Sequence, residues 1–348
     1  MIPVFDGHND TVLLHLEKPD RDFFERHDDG HIDLPRAKEG GLFGGFFAVF
    51  PPSPASPGLE KSYVKADGSK VQLTVGALDP AAAVVSTNAM VSQLLRWDAD
   101  EQGRFTLVRT VSDIEACLEN GSMAAIMHFE GAEAIGPDLA ALDVYHAAGL
   151  RSLGIVWSRA NLFGNGVPFR FPSSPDVGPG LTAHGMQLVR RCNELGIMVD
   201  LSHITERGFW DVANISSAPL VATHSNAHAV CPSTRNLTDE QLDAVAASKG
   251  VVGLNFHVGF LDPEGGNGTD VPLSVMVRHV DHLVERLGID GVALGSDYDG
   301  ALVPDAVSDA SKLPDLMNAL AEAGYSRADL EKIGYRNWLR VLGLTWRP

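Results

Sequence analysis

Histidine and carboxylate side chains recur in this sequence directly after short apolar runs. The earliest example is D-G-H-N-D at residues 6–10, which follows the apolar run at 2–5. Because residues two apart on a strand share a face, His8 and Asp10 can point to the same ion. This pair alone is weak evidence, since both residue types are common near turns. Asp6 and Asn9 are expected to shape the turn around the pair.

Three further candidate ligands close other apolar runs. Glu130 follows I-M-H-F, and a charged group that emerges from a buried run needs a partner. His203 and His224 each end an apolar stretch. Zinc prefers His nitrogen and Asp or Glu oxygen, and two zinc ions about 3.5–4 Å apart acidify a shared water. The five groups therefore predict a site for two zinc ions. The first ion would bind His8 and Asp10. The second would bind His203 and His224, with Glu130 as the bridge.

Two aspartates follow the last apolar run, V-A-L at 292–294. Asp297 is the candidate for proton transfer, because a carboxylate beside an activated water can take its proton and pass it to a leaving amine. Asp299 lies two residues further on and could share that face as a substrate-binding group. The alternative for Asp299 is a turn residue before Gly300.

The elements that must position these groups alternate between short β-branched runs and longer amphipathic stretches. Eight strands are predicted at residues 3–8, 41–50, 124–130, 150–157, 197–203, 220–225, 251–257 and 292–297. Helices are predicted between them at 139–148, 182–195, 205–216, 237–248 and 273–287, and Gly149, Gly196, Gly250 and Gly288 follow four of these as C-terminal glycines. This order indicates an α/β fold, a (β/α)₈ TIM-type barrel, in which the C-terminal strand ends converge on one site.

The surplus length lies mainly between strands two and three, at residues 51–123. It begins with the loop-forming P-P-S-P-A-S-P-G, and it contains a predicted helix at 79–97 and a short strand at 104–108. We interpret it as an insertion over or beside the barrel mouth, within a single domain that spans 1–348. A surface elaboration without a functional role is an equal alternative. A last helix is predicted at 327–342.

Composition excludes several classes of function. A net charge of −18 without a basic run argues against a nucleic-acid partner. No secretory signal, lipid-anchor tail or spanning apolar segment is found, so we expect a cytoplasmic protein without a membrane partner. The three cysteines, Cys117, Cys192 and Cys231, are widely spaced and are expected to be reduced.

The motifs, in their order and spacing, resemble the membrane dipeptidases, also called renal dipeptidases, which are zinc peptidases of the amidohydrolase superfamily. The resemblance runs nearly end to end and rests on D-G-H-N-D at 6–10, F-E-G at 129–131, D-L-S-H at 200–203, T-H-S-N-A at 223–227, R-N-L-T-D at 235–239 and G-S-D-Y-D-G at 295–300. It implies a binuclear zinc site on the five ligands named above, with Asp297 as the proton-transfer group. It also implies that Arg235 receives the C-terminal carboxylate of a dipeptide, which suits a guanidinium fork.

One departure from the family concerns the end of strand four. The family usually has a substrate-contacting histidine there, whereas this sequence has G-I-V-W-S-R-A-N with Trp157 at that position. Trp can pack against a substrate and donate one N–H, but it cannot become a cation. Either Arg159 compensates, or the substrate range differs, or a histidine such as His128 or His257 fills the space.

The resemblance implies a zinc-dependent dipeptidase that acts through a hydroxide bridging the two ions, including on dipeptides with a C-terminal D-residue, and a homodimer. Two alternatives stay open at this point. A related binuclear amidohydrolase could act on an N-acyl amino acid or a lactam, because a barrel supports many chemistries through its loops. A non-enzymatic binding barrel is the third interpretation.

Overall fold

Eight parallel strands wind into a nearly closed barrel in the computed structural model, which describes residues 1–53 and 76–347. The described residues form nine strands in all: β1 (Val4–Asn9), β2 (Leu42–Val49), β3 (Phe105–Leu107), β4 (Met123–Glu130), β5 (Leu150–Gly154), β6 (Met198–Asp200), β7 (Val221–Ala222), β8 (Val251–Leu254) and β9 (Val292–Leu294). Eight of them form the barrel in the order β1-β2-β4-β5-β6-β7-β8-β9, and β3 lies outside this order and pairs with β4. The predicted (β/α)₈ barrel is confirmed.

The barrel closes between β1 and the segment that follows β9. The Asp297 amide donates to the His8 carbonyl at 2.9 Å, and the Asp10 amide donates to the Tyr298 carbonyl at 2.8 Å. Asp6 strengthens the same seam, because its carboxylate accepts hydrogen bonds from the Ser296 amide at 2.6 Å and the Ser296 hydroxyl at 2.8 Å. Burial raises the pKa of Asp6 to about 7, although these hydrogen bonds oppose the shift. The first acidic residue of D-G-H-N-D therefore joins the two ends of the barrel.

Helices cover the outside of the barrel. They are α1 (Thr11–Glu17), α2 (Leu34–Gly40), α3 (Pro80–Asp98), α4 (Val111–Asn120), α5 (Ala140–Ala148), α6 (Ala183–Leu195), α7 (Glu206–Ile215), α8 (Asp239–Ala247), α9 (Val258–Leu261), α10 (Leu273–Leu287), α11 (Leu313–Glu322), α12 (Arg327–Glu331) and α13 (Asn337–Thr345). The five helices predicted between strands are found within two residues of their predicted ends. Threonine caps begin three of them, since the side chains of Thr182, Thr205 and Thr238 each accept a backbone N–H of the first turn.

Two predictions about helix ends need correction. Gly250 does not end α8 as a left-handed residue: Lys249 has φ +60°, and a Cβ at Gly250 would lie 1.8 Å from the Leu220 carbonyl oxygen. Gly250 is therefore required by close packing of two backbones. The helix predicted at 327–342 is divided, because a π-helical segment over Lys332–Arg336 separates α12 from α13.

Apolar side chains form two layers of core. One layer packs between the barrel wall and the surrounding helices, for example Val4 and Leu42. The other fills the barrel interior and includes Phe5, Phe46 and Trp338. Trp338, on α13, is fully buried, and its indole N–H donates to the Leu294 carbonyl at 3.0 Å. The Trp338 side chain therefore extends from the C-terminal helix into the barrel interior.

The described part of the insertion lies beside the barrel. Strand β3 pairs with Met123–Ala125, the amino-terminal part of β4, and Trp97 on α3 packs against Phe23 and Phe105. The strand at 104–108 and the helix at 79–97 are confirmed. Most of the P-P-S-P-A-S-P-G stretch, from residue 54, lies outside the described residues. The single domain over 1–348 stays a prediction.

Within residues 1–53 and 76–347, no helix combines the length and the apolar composition needed to cross a bilayer. Cys117, Cys192 and Cys231 are all buried free thiols, as expected.

Candidate metal centre

The five predicted ligands and Asp297 meet at the carboxyl ends of the strands. Their side chains form three overlapping groups, each with ligand atoms within 4.8 Å of one another: His8, Asp10 and Glu130; Glu130, His203 and His224; and His8, His224 and Asp297. His8 and Asp10 come from one motif and the other four from separate regions of the chain; the five predicted ligands are buried and Asp297 is partly buried. The geometry therefore brings together every residue that the sequence nominated for metal binding or proton transfer.

His8 lies among three carboxylates. Its Nε2 atom is 3.4 Å from Asp10 Oδ2, 3.8 Å from Glu130 Oε1 and 4.0 Å from Asp297 Oδ1. Burial lowers the pKa of His8, but the neighbouring carboxylates raise it more strongly, to about 10. The His8 imidazole and the three carboxylates at these separations form a site that favours a bound cation.

Glu130 faces the other pair of histidines. Its Oε1 atom is 3.0 Å from His203 Nε2 and 3.6 Å from His224 Nε2, and the two Nε2 atoms are 3.0 Å apart. Burial lowers the pKa of both histidines well below the usual range, and the positive charges of Arg235 and His8 act in the same direction. Both imidazoles are therefore neutral at pH 7, which is the form that binds a metal ion.

The residues fit a metal centre by a second criterion, the absence of other partners. In the part of the chain that the structure describes, neither ring nitrogen of His8 nor Oδ1 of Asp10 has a hydrogen-bond partner, although all three atoms are buried. Buried polar groups without partners are rare in folded proteins because each costs about 1–3 kcal/mol. Burial also raises the pKa of Glu130 well above its usual range. A bound dication would satisfy Nε2 of His8, which faces the centre, together with the Asp10 and Glu130 carboxylates.

The backbone turns sharply at two of these positions. His203 has φ +67° and Asp297 has φ +61°, in the left-handed region that non-glycine residues seldom adopt. Such conformations concentrate at functional sites. The predicted strands at 197–203 and 292–297 are therefore too long: β6 ends at Asp200 and β9 at Leu294, and the functional side chains follow in turns.

A glycine makes room for this arrangement. A Cβ at Gly7 would lie 2.4 Å from the Thr223 carbonyl oxygen and 2.5 Å from the Trp338 ring. A glycine is therefore required where β1 passes between Thr223, which follows β7, and the interior tryptophan.

Several supporting residues were not identified from the sequence. Asn255 donates its side-chain amide to Asp297 Oδ2 at 2.9 Å, which leaves Oδ1 toward His8. Ser158 lies 2.8 Å from His203 Nδ1, and Thr223 lies 2.8 Å from His224 Nδ1. Each stands within a few residues of a strand end, next to or across from a candidate ligand. The sequence positions of Thr223 and Asn255, directly after the ends of strands, could have indicated a role at the centre. Ser158 lies in the loop after β5, where the sequence gives no such indication.

Arg235 is buried beside this centre. Its guanidinium donates to the His224 carbonyl at 3.0 Å and to the Ser225 hydroxyl at 3.4 Å, and it lies 5.2 Å from the centre of the Phe260 ring. Arg235 is 2% exposed.

Trp157 contacts the centre through His203. The two rings are 5.8 Å apart, and Trp157 also packs against Phe50 at 5.2 Å and Phe169 at 5.5 Å. The strand predicted to end at Trp157 ends at Gly154, so Trp157 stands on the following loop. Trp157 is therefore part of an aromatic wall next to the His203 side of the centre.

Other side chains and backbone groups contact Arg159, His128 and His257. Arg159 donates to Glu133 at 2.7 Å, to the Ser53 hydroxyl at 2.8 Å and to the Pro51 carbonyl at 2.8 Å. His128 lies beneath His8 at a ring distance of 5.4 Å, and His257 stacks on Phe260 at 4.2 Å. These contacts favour a structural role for Arg159 and place neither histidine against Trp157.

Asp299 is held by the protein itself. Its carboxylate accepts hydrogen bonds from the Thr11 hydroxyl at 2.8 Å and the His31 amide at 2.5 Å, and its side chain is fully buried. This geometry favours the structural alternative for Asp299 over substrate binding.

Comparison with known proteins agrees with this centre. A model of the membrane dipeptidases, peptidase family M19, matches residues 1–345. A metallo peptidase from Rhodobacter sphaeroides, whose crystal structure holds a phosphinate mimic of the dipeptide L-Ala-D-Ala, is 48% identical, with a TM-score of 0.96 and 99% of each chain covered. An uncharacterised protein in the pqqA 5′ region of Klebsiella pneumoniae is 46% identical over 269 residues, which cover 77% of this chain and 98% of that protein. Dipeptidase tcpJ of Claviceps purpurea is 29% identical over 350 residues, covering 97% of this chain and 76% of that protein. The chain therefore belongs to the membrane dipeptidases of peptidase family M19, and it is a metallo-dipeptidase of that family.

Proposed function

We propose that this protein hydrolyses the peptide bond of dipeptides with two zinc ions held by His8, Asp10, Glu130, His203 and His224. The observation that carries the proposal is the convergence of these five buried groups on one centre, beside Asp297 and a buried arginine. His and carboxylate ligands suit zinc, and the overlap of the three groups at Glu130, His8 and His224 supports two ions. When bound, the ions supply an acidified water and polarise the scissile carbonyl.

The proton is carried by Asp297 in this proposal. Asn255 fixes Oδ2 of Asp297, so Oδ1 is the oxygen that faces the centre. Asp297 accepts a proton from the attacking water and donates it to the departing amine, which makes it a general base and then a general acid.

Arg235 positions the substrate. Its guanidinium lies directly beside the His224 carbonyl, and a planar guanidinium recognises a carboxylate through two parallel hydrogen bonds. We therefore assign the C-terminal carboxylate of the dipeptide to Arg235. The aromatic wall at Trp157 then limits the space on the His203 side.

The substrates are proposed to include dipeptides with a C-terminal D-residue. Support comes from the Rhodobacter sphaeroides neighbour, which binds a mimic of L-Ala-D-Ala. A stereochemically complete dipeptide screen tests this point, with turnover of both L,L and L,D series measured on the same zinc-loaded sample. Turnover of the L,L series alone would contradict it.

Metal analysis tests the centre itself. We expect about two zinc equivalents per chain after growth with zinc, and loss of activity on chelation that added zinc restores. The variants His8→Asn and His203→Asn should each lower the metal content. A zinc content well under one equivalent in an active wild-type enzyme would contradict the proposal.

A second candidate function is favoured by Trp157. Because an indole replaces the family's histidine next to His203, the centre could instead act on an N-acyl amino acid or a lactam. A screen that sets these compounds beside dipeptides distinguishes the two functions. Faster turnover of an N-acyl amino acid than of any dipeptide would favour this second function.

We also propose a cytoplasmic homodimer. The three buried thiols support a reducing compartment, and the dimer follows from the family resemblance alone. Light scattering coupled to size-exclusion chromatography measures the oligomeric state, and a monomer at micromolar concentration would contradict the dimer.

A further inference from the structure

A buried carboxylate that the proposed mechanism does not use lies beneath the metal centre. Asp200, at the end of β6, is 2% exposed. Its Oδ1 atom accepts from the Ser202 amide at 3.0 Å, the Ser202 hydroxyl at 2.9 Å and the Thr223 amide at 2.7 Å. Its Oδ2 atom accepts from the Thr223 hydroxyl at 2.8 Å. Four donors thus converge on one carboxylate.

The Thr223 hydroxyl also touches a candidate metal ligand. Its Oγ1 atom is 2.8 Å from His224 Nδ1, while His224 Nε2 faces Glu130 and His203. A hydroxyl has one proton to donate. Thr223 donates that proton to Asp200 Oδ2, so His224 must donate its own Nδ1–H to Thr223. The Nε2 atom then carries a lone pair toward the metal centre.

The opposite arrangement is incompatible with metal binding. If Thr223 donated its proton to His224 Nδ1, the ring proton would sit on Nε2, the atom that faces Glu130. A protonated Nε2 cannot bind an ion. The direction of the two hydrogen bonds therefore decides whether His224 can act as a ligand.

No lysine or arginine forms an ion pair with Asp200 in the described part of the chain, where the single ion-pair geometry is with His128, whose Nε2 atom is 3.7 Å from Asp200 Oδ2. That separation is too long for a hydrogen bond, whereas the Thr223 hydroxyl lies 2.8 Å from the same oxygen. Asp200 therefore acts on His224 through Thr223. His203 differs, because its Nδ1 atom lies 2.8 Å from the neutral hydroxyl of Ser158.

We propose that Asp200 and Thr223 are positioning residues that fix the tautomer of His224 and thereby the affinity of the centre for its metal. This inference rests on the proposed function in one respect, the assignment of His224 as a ligand. Partners of this kind, placed behind a ligating histidine, typically change metal affinity by about 10- to 100-fold when removed.

Replacement of Asp200 by Asn makes the sharpest test. The Asn oxygen can keep the two backbone donors on Oδ1, but its amide would donate to Thr223. Thr223 would then donate to His224, and the ring proton would move to Nε2. Nitrogen-15 NMR of histidine-labelled, metal-free protein reads the tautomer directly, with the His224 signals assigned by their loss in His224→Asn. We expect the Nδ1–H form in wild type and the Nε2–H form in D200N. The same tautomer in both proteins would overturn the proposal.

Metal affinity supplies an independent measurement. Thr223→Val removes the hydroxyl at nearly constant volume, and Thr223→Ser retains it. We expect zinc affinity, measured by competition with a chromophoric chelator, to fall roughly 10-fold or more in T223V and to stay within about threefold of wild type in T223S. Thr106→Val is the matched control. It removes a hydroxyl on β3, which is not one of the eight barrel strands, and that hydroxyl forms a hydrogen bond with Ser122. Equal affinities in T223V and T106V would overturn the proposal.

Separate measurements distinguish a variant that does not fold from one that has lost metal affinity. Circular dichroism of each metal-free variant checks that the barrel is intact, and the tautomer measured in D200N tests the proposal if T223V does not fold. Neither measurement uses a substrate. A chain that shows the expected tautomers and zinc affinities but cleaves no dipeptide would contradict the proposed function alone.

Discussion

The side chain of Asp297 is more constrained than a turn residue needs to be. Its backbone is left-handed, one carboxylate oxygen is bound by Asn255 and the other faces His8. Strained backbone and a fixed side chain together indicate a group held for chemistry rather than for solubility. At the scale of single residues, proton transfer at Asp297 and carboxylate binding at Arg235 can be tested separately.

Asp297→Asn should lower kcat by about 10²- to 10⁴-fold, because the amide cannot accept and return a proton. Zinc content should stay near the wild-type value, since the five ligands remain. Steady-state kinetics with matched metal analysis measures both. Wild-type turnover in this variant would remove Asp297 from proton transfer.

Arg235→Ala should lower kcat/KM for free dipeptides by roughly 10- to 100-fold, because a charge-assisted hydrogen-bond pair is worth about 1.5–3 kcal/mol. C-terminally amidated dipeptides should change much less, since they carry no carboxylate for the guanidinium. Arg235→Lys serves as the control that keeps the charge but loses the fork. Equal losses for the two substrate series would contradict carboxylate recognition.

At the scale of elements, Arg159 ties three chain segments together. It links the end of β2, through Pro51 and Ser53, to Glu133 beyond β4, and its guanidinium lies 5.4 Å from the Trp157 ring centre. The side chains of Arg159 and Glu133 are 0% and 2% exposed. Trp157 therefore stands on a rigid support, which matters for any role it has in specificity.

Arg159→Met should destabilise the fold by about 3–5 kcal/mol, because it leaves the buried Glu133 carboxylate without its partner. The double variant with Glu133→Gln should recover part of the loss. Arg191→Met is the control, since its pair with Asp143 is exposed and should cost no more than about 1 kcal/mol. Urea unfolding measures all three, and equal costs for the buried and the exposed pair would contradict the assignment.

At the scale of the whole molecule, His279 couples stability to pH. It is buried on α10, accepts the Ala227 amide at 3.3 Å on Nδ1, and lies 3.0 Å from the Leu261 carbonyl through Nε2. Burial lowers the pKa of His279 to about 4. The unfolded chain therefore binds a proton below its ordinary pKa near 6.5, whereas the folded chain does not until about pH 4.

The contribution of neutral His279 to the free energy of unfolding is therefore complete above about pH 6.5. It decreases as the pH falls toward the folded-state pKa, and the loss is roughly 2–3 kcal/mol at about pH 4.5. His279→Gln cannot be protonated, so its free energy of unfolding should fall less between about pH 7 and pH 4.5 than that of wild type. Urea titrations at the two pH values measure the difference. Because both proteins keep the same metal ligands, metal loss in acid cancels in the comparison. Parallel pH profiles would contradict the role of His279.

Sequence by itself determined the barrel and the group of residues at its mouth. Short apolar, β-branched runs that alternate with amphipathic stretches indicate βα units, and the carboxyl ends of such strands share one face of the barrel. His8, Glu130 and His224 could therefore be grouped without coordinates. Tertiary structure alone decided what surrounds them. The left-handed turns at His203 and Asp297, the burial of Arg235 and the hydrogen bonds from Asp200 and Asn255 depend on contacts between residues far apart in the chain. The local sequence indicates which residues form strands and helices. It does not indicate which residue from across the barrel contacts a given side chain. For the same reason the sequence near Asp299 does not indicate that Thr11 and His31 donate hydrogen bonds to its carboxylate.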